Sequence, residues 1–270
     1  MASPAEGSLR EQYEAAQAQL AAYARDFRAL LDKEREKGAA LEAANRQLQS
    51  YAQDLRRAFD AQQTKAQELE RSYLDTVHRL VRASRFKDEE TGNHITRLSH
   101  YARVLALQLG WQQAAADLLF EAAPMHDLGK IAIPDAVLQK PGPLNEAEWD
   151  IMRRHPRYGA ELLKGSSSPL LELARRVALG HHERWDGTGY PQRLRGERIP
   201  AACRVILLVD QYDALRSRRP YKPSLPHTEV CQIILHGDGR TLPQHFEPAV
   251  LAAFSEVHLE LDRIYEQYAD

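Results

Sequence analysis

The chain has 270 residues, with 36 Lys and Arg against 38 Asp and Glu, a formal net charge of −2. That balance excludes a broad basic face for duplex nucleic acid, while leaving room for a small cationic patch around a phosphate ligand. The run Val205–Val209 is far shorter than the ~20 apolar residues of a membrane span, and the N-terminus lacks the cationic start and apolar core of a secretory signal. Cys203 and Cys231 have no paired spacing and read as reduced core thiols. The expected location is therefore the cytoplasm.

Composition changes sharply near residue 75. Pro4 and Pro124 bound a stretch without proline, Gly38 is the only glycine between Gly7 and Gly92, and all eleven histidines lie at or beyond His78. Helix interiors exclude Gly and Pro, so the first part reads as one long helix. Residues 1–8 are expected to be a flexible start, 9–75 a coiled-coil signalling helix and 76–270 the catalytic domain. A heptad register puts Tyr13, Leu20, Phe27, Glu34, Leu41, Leu48, Leu55, Gln62 and Leu69 at a. Its d positions are Ala16, Tyr23, Leu30, Lys37, Ala44, Tyr51, Ala58, Lys65 and Ser72. A seven-residue repeat keeps one seam facing a partner, here expected to be a second copy in a parallel homodimer. The helix would extend roughly 90 Å, and it offers a docking surface for an upstream regulatory protein.

The rest reads as globular and all-α. His94, Arg97, Leu98, Tyr101, Val104, Leu105 and Leu109 recur at helical spacing and close at Gly110. Asn145–Glu148 has the form of a capping box opening a helix through Leu163. Residues 170–182 continue the helical pattern, and 183–200 is a loop punctuated by Gly187, Gly189, Pro191 and Gly196. Residues 205–215 form a buried helix, and Glu247 to Tyr268 a final one with Pro248 in its first turn.

Candidate metal ligands arrive in order on successive elements: Glu90, His94, His126, Asp127, His155, His181, His182 and Asp210. Glu90 and His94, four apart, share a helical face. All are nitrogen or oxygen donors, a set that suits first-row metals rather than a thiolate zinc site. Eight ligands are too many for one ion and suit two or three ions sharing carboxylate bridges. Two neighbouring ions can activate water and stabilise a departing oxygen, the requirement for cleaving an anionic phosphodiester. Lys130 lies one turn after Asp127, and Arg219 and Lys222 offer a fork and a point charge for phosphate oxygens.

The motifs Lys87–His94, His126-Asp127-Leu128-Gly129-Lys130, Lys140-Pro141-Gly142, His181–Pro191, Asp210–Leu215 and Arg219–Lys222 resemble, in that order, the HD-GYP subgroup of the HD phosphohydrolase superfamily. The resemblance runs from about Ser72 to the C-terminus. It implies an all-helical domain around a two- or three-metal cluster that hydrolyses c-di-GMP to pGpG, and often onward to GMP. By position it makes His94, His126, Asp127, His155, His181, His182 and Asp210 metal ligands, with Asp127 bridging two ions and Glu90 serving a third. Iron or manganese is expected first, with nickel, cobalt or zinc as alternatives. Lys130 matches the active-site lysine, Arg219 and Lys222 the phosphate-gripping pair, and Tyr190 and Asp213 the guanine or loop side of the pocket. Asp186 and Glu183 are expected to support the neighbouring histidines. His78, His100, His227, His236, His245 and His258 match no ligand position and read as surface or core residues; the three tryptophans read as packing. A non-catalytic dinucleotide-binding or partner-docking module, and an enzyme for another cyclic dinucleotide, are the competing readings.

Overall fold

A computed structural model describes residues 4–85, 87, 92–217 and 224–269. The chain separates into two units, Met1–Tyr73 and Leu74–Asp270. Among the described residues there is no strand, in agreement with the all-α expectation. Glu90, Arg219 and Lys222 lie outside the described residues.

The first unit is occupied by one helix, α1 (Pro4–Arg85), whose last turns belong to the second unit. Its apolar heptad residues are bare: Leu20 is 71% and Leu55 73% exposed, and Phe27, Leu48 and Leu69 are similarly open. Leu31 and Phe59, at the flanking e positions, widen the stripe. Two of the three charges that interrupt the seam, Glu34 and Lys37, bond to each other at 2.8 Å along the same helix. An exposed pair of this kind contributes only about 0.3–0.5 kcal/mol.

The second unit is a helical globule. α2 (Gly92–Gln108), α3 (Gln113–Ala122), α7 (Pro169–Gly180), α8 (Ala201–Arg216), α9 (His227–His236) and α10 (Pro248–Gln267) supply most of its core. The short α4 (Asp135–Leu138), α5 (Glu146–Met152) and α6 (His155–Leu162) stand between α3 and α7. α8 is the central post: Val205, Ile206, Leu208, Val209 and Tyr212 are all buried. Such an all-round apolar helix is stable only inside a core, where each large side chain contributes about 1.5–3 kcal/mol. A smaller core joins Val81, from the end of α1, to Ile95, Met125, Leu170 and Ala174.

One expected helix is two. The capping box at Asn145 forms as expected, with Glu148 N donating to Asn145 Oδ1 at 2.9 Å and Asn145 N to Glu148 Oε2 at 2.8 Å. The helix nevertheless stops at Met152 instead of running to Leu163. Pro156 is the reason: it has no N–H for the Met152 carbonyl and is favoured in a first helical turn, so α6 starts anew at His155.

Candidate metal centre

Seven of the eight expected ligands lie on described elements and meet in two adjoining groups. Asp127, His155, His181 and His182 form one, and His94, His126 and Asp210 the other; within each group, potential donor atoms lie within 4.8 Å of one another. His94 comes from the first turn of α2, His155 from that of α6, and Asp210 from α8. His126 and Asp127 sit in the turn between two short 3₁₀ segments, 123–125 and 128–132, and His181 and His182 directly follow α7.

The ring orientations follow from local hydrogen bonds. His155 Nδ1 donates to the Met152 carbonyl at 2.8 Å, the acceptor that Pro156 cannot use. His126 Nδ1 donates to Ala123 O at 2.9 Å, and His181 Nδ1 to Ala178 O at 3.0 Å. His94 Nδ1 lies 2.7 Å from Asp213 Oδ2. With the proton on Nδ1 in all four rings, each Nε2 turns a lone pair toward the centre. His155 Nε2 and His181 Nε2 are then 3.3 Å apart, and lie 3.2 and 3.5 Å from Asp127 Oδ1. Three acceptors facing one another at these distances are mutually repulsive unless a cation sits between them. The spacing matches the roughly 3.4 Å edge expected when nitrogen ligands surround a metal at about 2.0–2.1 Å. The donor set therefore fits divalent metal ions.

The electrostatics agree. Burial opposes ionisation of Asp127, but Lys130, the His126 ring and bonds with His126 and His155 outweigh it and hold the carboxyl well below its usual range. Burial pushes His181 down, and burial with the adjacent His181 and His155 rings pushes His182 further. Both stay neutral and ligand-competent at neutral pH. Lys130 Nζ lies 2.8 Å from Asp127 Oδ2.

Asp213 does not line the pocket. Its carboxylate is fully buried and shared between His94 and Arg97, with Arg97 Nε donating to Oδ1 at 2.7 Å and Nη2 to Oδ2 at 2.9 Å. The helical register of α8 turns Asp210 toward the two histidine groups and Asp213 into the interface with α2, so Asp213 orients the His94 ring. Two glycines permit the close packing. A Cβ on Gly129 would come within 2.0 Å of His155 O, and one on Gly189 within 2.3 Å of Arg184 N.

A cavity of about 600 Å³ opens beside Asp127, His182 and Asp210, within the common range for small-molecule sites. Tyr190 lines it as expected, its ring stacked on His182 at 4.6 Å. Lys130, Arg153, Arg184 and Arg193 give it four cations. The three arginines escaped sequence reasoning, although their closeness to His155 and to the 183–200 loop was a usable signal. Glu183 and Asp186 hold that loop rather than His181 or His182. Buried Glu183 accepts Gln192 N at 2.6 Å and Leu194 N at 2.8 Å, which pins the intervening Arg193 at φ +54. Asp186 accepts the Thr188 amide and hydroxyl. Trp149 and His245, expected only to pack, also border the cavity.

Comparison with known proteins accords with this architecture. A probable cyclic di-GMP phosphodiesterase of Vibrio cholerae is 41% identical over 217 residues, covering 75% of this chain and 48% of that protein. The cyclic di-GMP phosphodiesterase response regulator RpfG of Xanthomonas campestris is 41% identical over 202 residues, covering 75% of this chain and 52% of that protein. A 3′3′-cGAMP-specific phosphodiesterase 2 of Vibrio cholerae is 38% identical over 189 residues, covering 70% of this chain and 35% of that protein. The chain thus spans about half the length, or less, of these curated relatives. The HD domain family model matches residues 77–242, which hold the His126-Asp127 pair, every other described candidate ligand and the Gly189-Tyr190-Pro191 loop of the HD-GYP resemblance. The chain belongs to the HD domain family.

Proposed function

We propose that this chain hydrolyses c-di-GMP to linear pGpG, as a metal-dependent phosphodiesterase of bacterial second-messenger signalling in the cytoplasm. The observation that carries the reading is a converging set of imidazole and carboxylate acceptors beside a cavity lined by four cations. Divalent ions held there, iron or manganese by preference for this donor set, supply Lewis-acid activation of water and neutralise phosphate charge. Asp127 is positioned to bridge the two groups, and Glu90 would extend them to a third ion. Lys130, held by Asp127, faces the cavity from the next turn and can give a proton to the departing ribose oxygen. Arg153, Arg184 and Arg193, with Arg219 and Lys222, bind the phosphates. Tyr190 offers a flat wall to a guanine.

The names of relatives acting on cyclic di-GMP support the substrate, and the 3′3′-cGAMP relative defines its nearest competitor. In the first unit, the exposed heptad stripe supports a parallel homodimer of this chain, through which an upstream regulator would act.

Anaerobically purified protein loaded with Mn²⁺ or Fe²⁺ should release pGpG from c-di-GMP. His126→Ala and Asp127→Ala should each abolish turnover while leaving the helical circular dichroism in place. Turnover retained in both variants would reject the site, and tight binding without turnover under every metal would leave a binding module. Preferential cleavage of 3′3′-cGAMP would preserve the chemistry and replace the substrate.

A further inference from the structure

A second group of metal-binding side chains lies outside the catalytic cluster. α9 carries His227 and Cys231 and α10 carries His258 and Asp262, each pair one helical turn apart and therefore on one face. His227 Nε2 lies 2.9 Å from His258 Nδ1 and 3.5 Å from Cys231 Sγ, and potential donor atoms of the three residues lie within 4.8 Å of one another. Cys231 is buried at the base, while His227 and His258 are half-buried, which leaves one side open to solvent.

A chain of hydrogen bonds accounts for the histidines alone: Tyr212 Oη lies 2.9 Å from His227 Nδ1, and His227 Nε2 faces His258 Nδ1. It does not account for the thiol, whose Sγ lies against the His227 ring, 3.5 Å from Nε2 and 3.8 Å from Nδ1. A tetrahedral ion with bonds of about 2.0–2.1 Å to nitrogen and 2.3 Å to sulfur places nitrogens about 3.3 Å apart, and nitrogen and sulfur about 3.6 Å apart. The observed 3.5 Å between sulfur and Nε2 meets that requirement, while the 2.9 Å between nitrogens and the 3.8 Å from sulfur to Nδ1 require the His227 ring to turn as the ion enters.

We propose that His227, Cys231 and His258 form a second metal site, for a single borderline-soft divalent ion of the zinc class, with solvent in the fourth position. A mixed imidazole and thiolate set selects such an ion, unlike the sulfur-free catalytic cluster. On binding, Cys231 loses its thiol proton to solvent and the His227 proton moves to Nδ1. That N–H donates to the Tyr212 hydroxyl, with the Asp262 carboxylate 3.6 Å behind it. Arg216 Nη2 donates to the same Asp262 oxygen at 2.6 Å and keeps it beside the ring rather than on the ion. The ion clamps α9 to α10 and, through Tyr212, to α8.

Cobalt distinguishes this site from the catalytic one, because only a thiolate ligand gives a near-ultraviolet sulfur-to-cobalt charge-transfer band. Titrating the reduced full chain with Co²⁺ should produce that band, and Zn²⁺ should displace it. Cys231→Ser should lose the band, His258→Gln should weaken it, and Cys203→Ser and His155→Ala should keep it. Circular dichroism of each variant verifies its fold. In the unaltered protein, Zn²⁺ should slow alkylation of Cys231, read by mass spectrometry. No band in the unaltered chain, a band persisting in Cys231→Ser, or equal alkylation with and without zinc would overturn the proposal.

Discussion

Replacing Asp213 by Asn tests the orientation of His94 with almost no change of shape. The carboxylate accepts from His94 Nδ1 and from two guanidinium nitrogens of Arg97, all at 2.7–2.9 Å. An amide has a single acceptor oxygen. If that oxygen takes the Oδ1 place opposite Arg97 Nε, the NH₂ group faces both His94 Nδ1 and Arg97 Nη2, and forces the ring proton onto Nε2, which removes the lone pair aimed at the metal. Losing such an outer partner lowers metal affinity 10–100-fold, or about 1.4–2.7 kcal/mol. If the amide turns the other way, the oxygen keeps His94 and Nη2 and the NH₂ group opposes Arg97 Nε, so the buried guanidinium loses a partner in either orientation. Removing half of a buried ion pair costs about 3 kcal/mol or more, roughly 6–12 °C of unfolding midpoint in a domain of this size. Competitive Mn²⁺ titration and thermal unfolding of the metal-free protein read the two effects separately. A variant that is destabilised yet binds every ion with unchanged affinity would refute the coupling between Asp213 and the metal centre.

Two further expectations follow from the geometry. Pro156→Ala introduces an N–H that competes with His155 Nδ1 for the Met152 carbonyl; metal affinity should fall several-fold while the free energy of unfolding changes by no more than the ~1 kcal/mol typical of proline removal. Unchanged Mn²⁺ affinity would show that the carbonyl does not set the His155 ring. Leu48→Glu with Leu55→Glu places charges on the exposed stripe of α1, and light scattering should then report monomers where the unaltered chain gives dimers. Dimers surviving in the double variant would assign self-association to another surface.

The convergence of the candidate-ligand histidines was legible because their chemistry is written in residue type and local order: His126-Asp127, His181-His182 and the loop from Arg184 to Pro191. The long first helix was legible from the near absence of Gly and Pro. What escaped was pairing between distant segments. Arg97 and Asp213 are 116 residues apart, and nothing in either neighbourhood announces the other. Glu183 looked like a partner for the adjacent histidines, but its buried oxygens reach nine and eleven residues onward and thereby position Arg193. The break before His155 was readable in principle, since Pro156 forbids continuation of an unperturbed helix, but the strong capping box at Asn145 masked it.

Arg97 also donates from Nη1 to the carbonyl of Tyr268 at 2.9 Å, and Asn93 Nδ2 reaches Ala269 O at 3.1 Å. The segment beyond α10 is thus fastened to the helix that bears His94, three hydrogen bonds from the imidazole itself. Trimming the chain before Tyr268 would loosen the guanidinium, then the aspartate, then the ring. Damage at Tyr268 and Ala269 would surface as poorer metal retention.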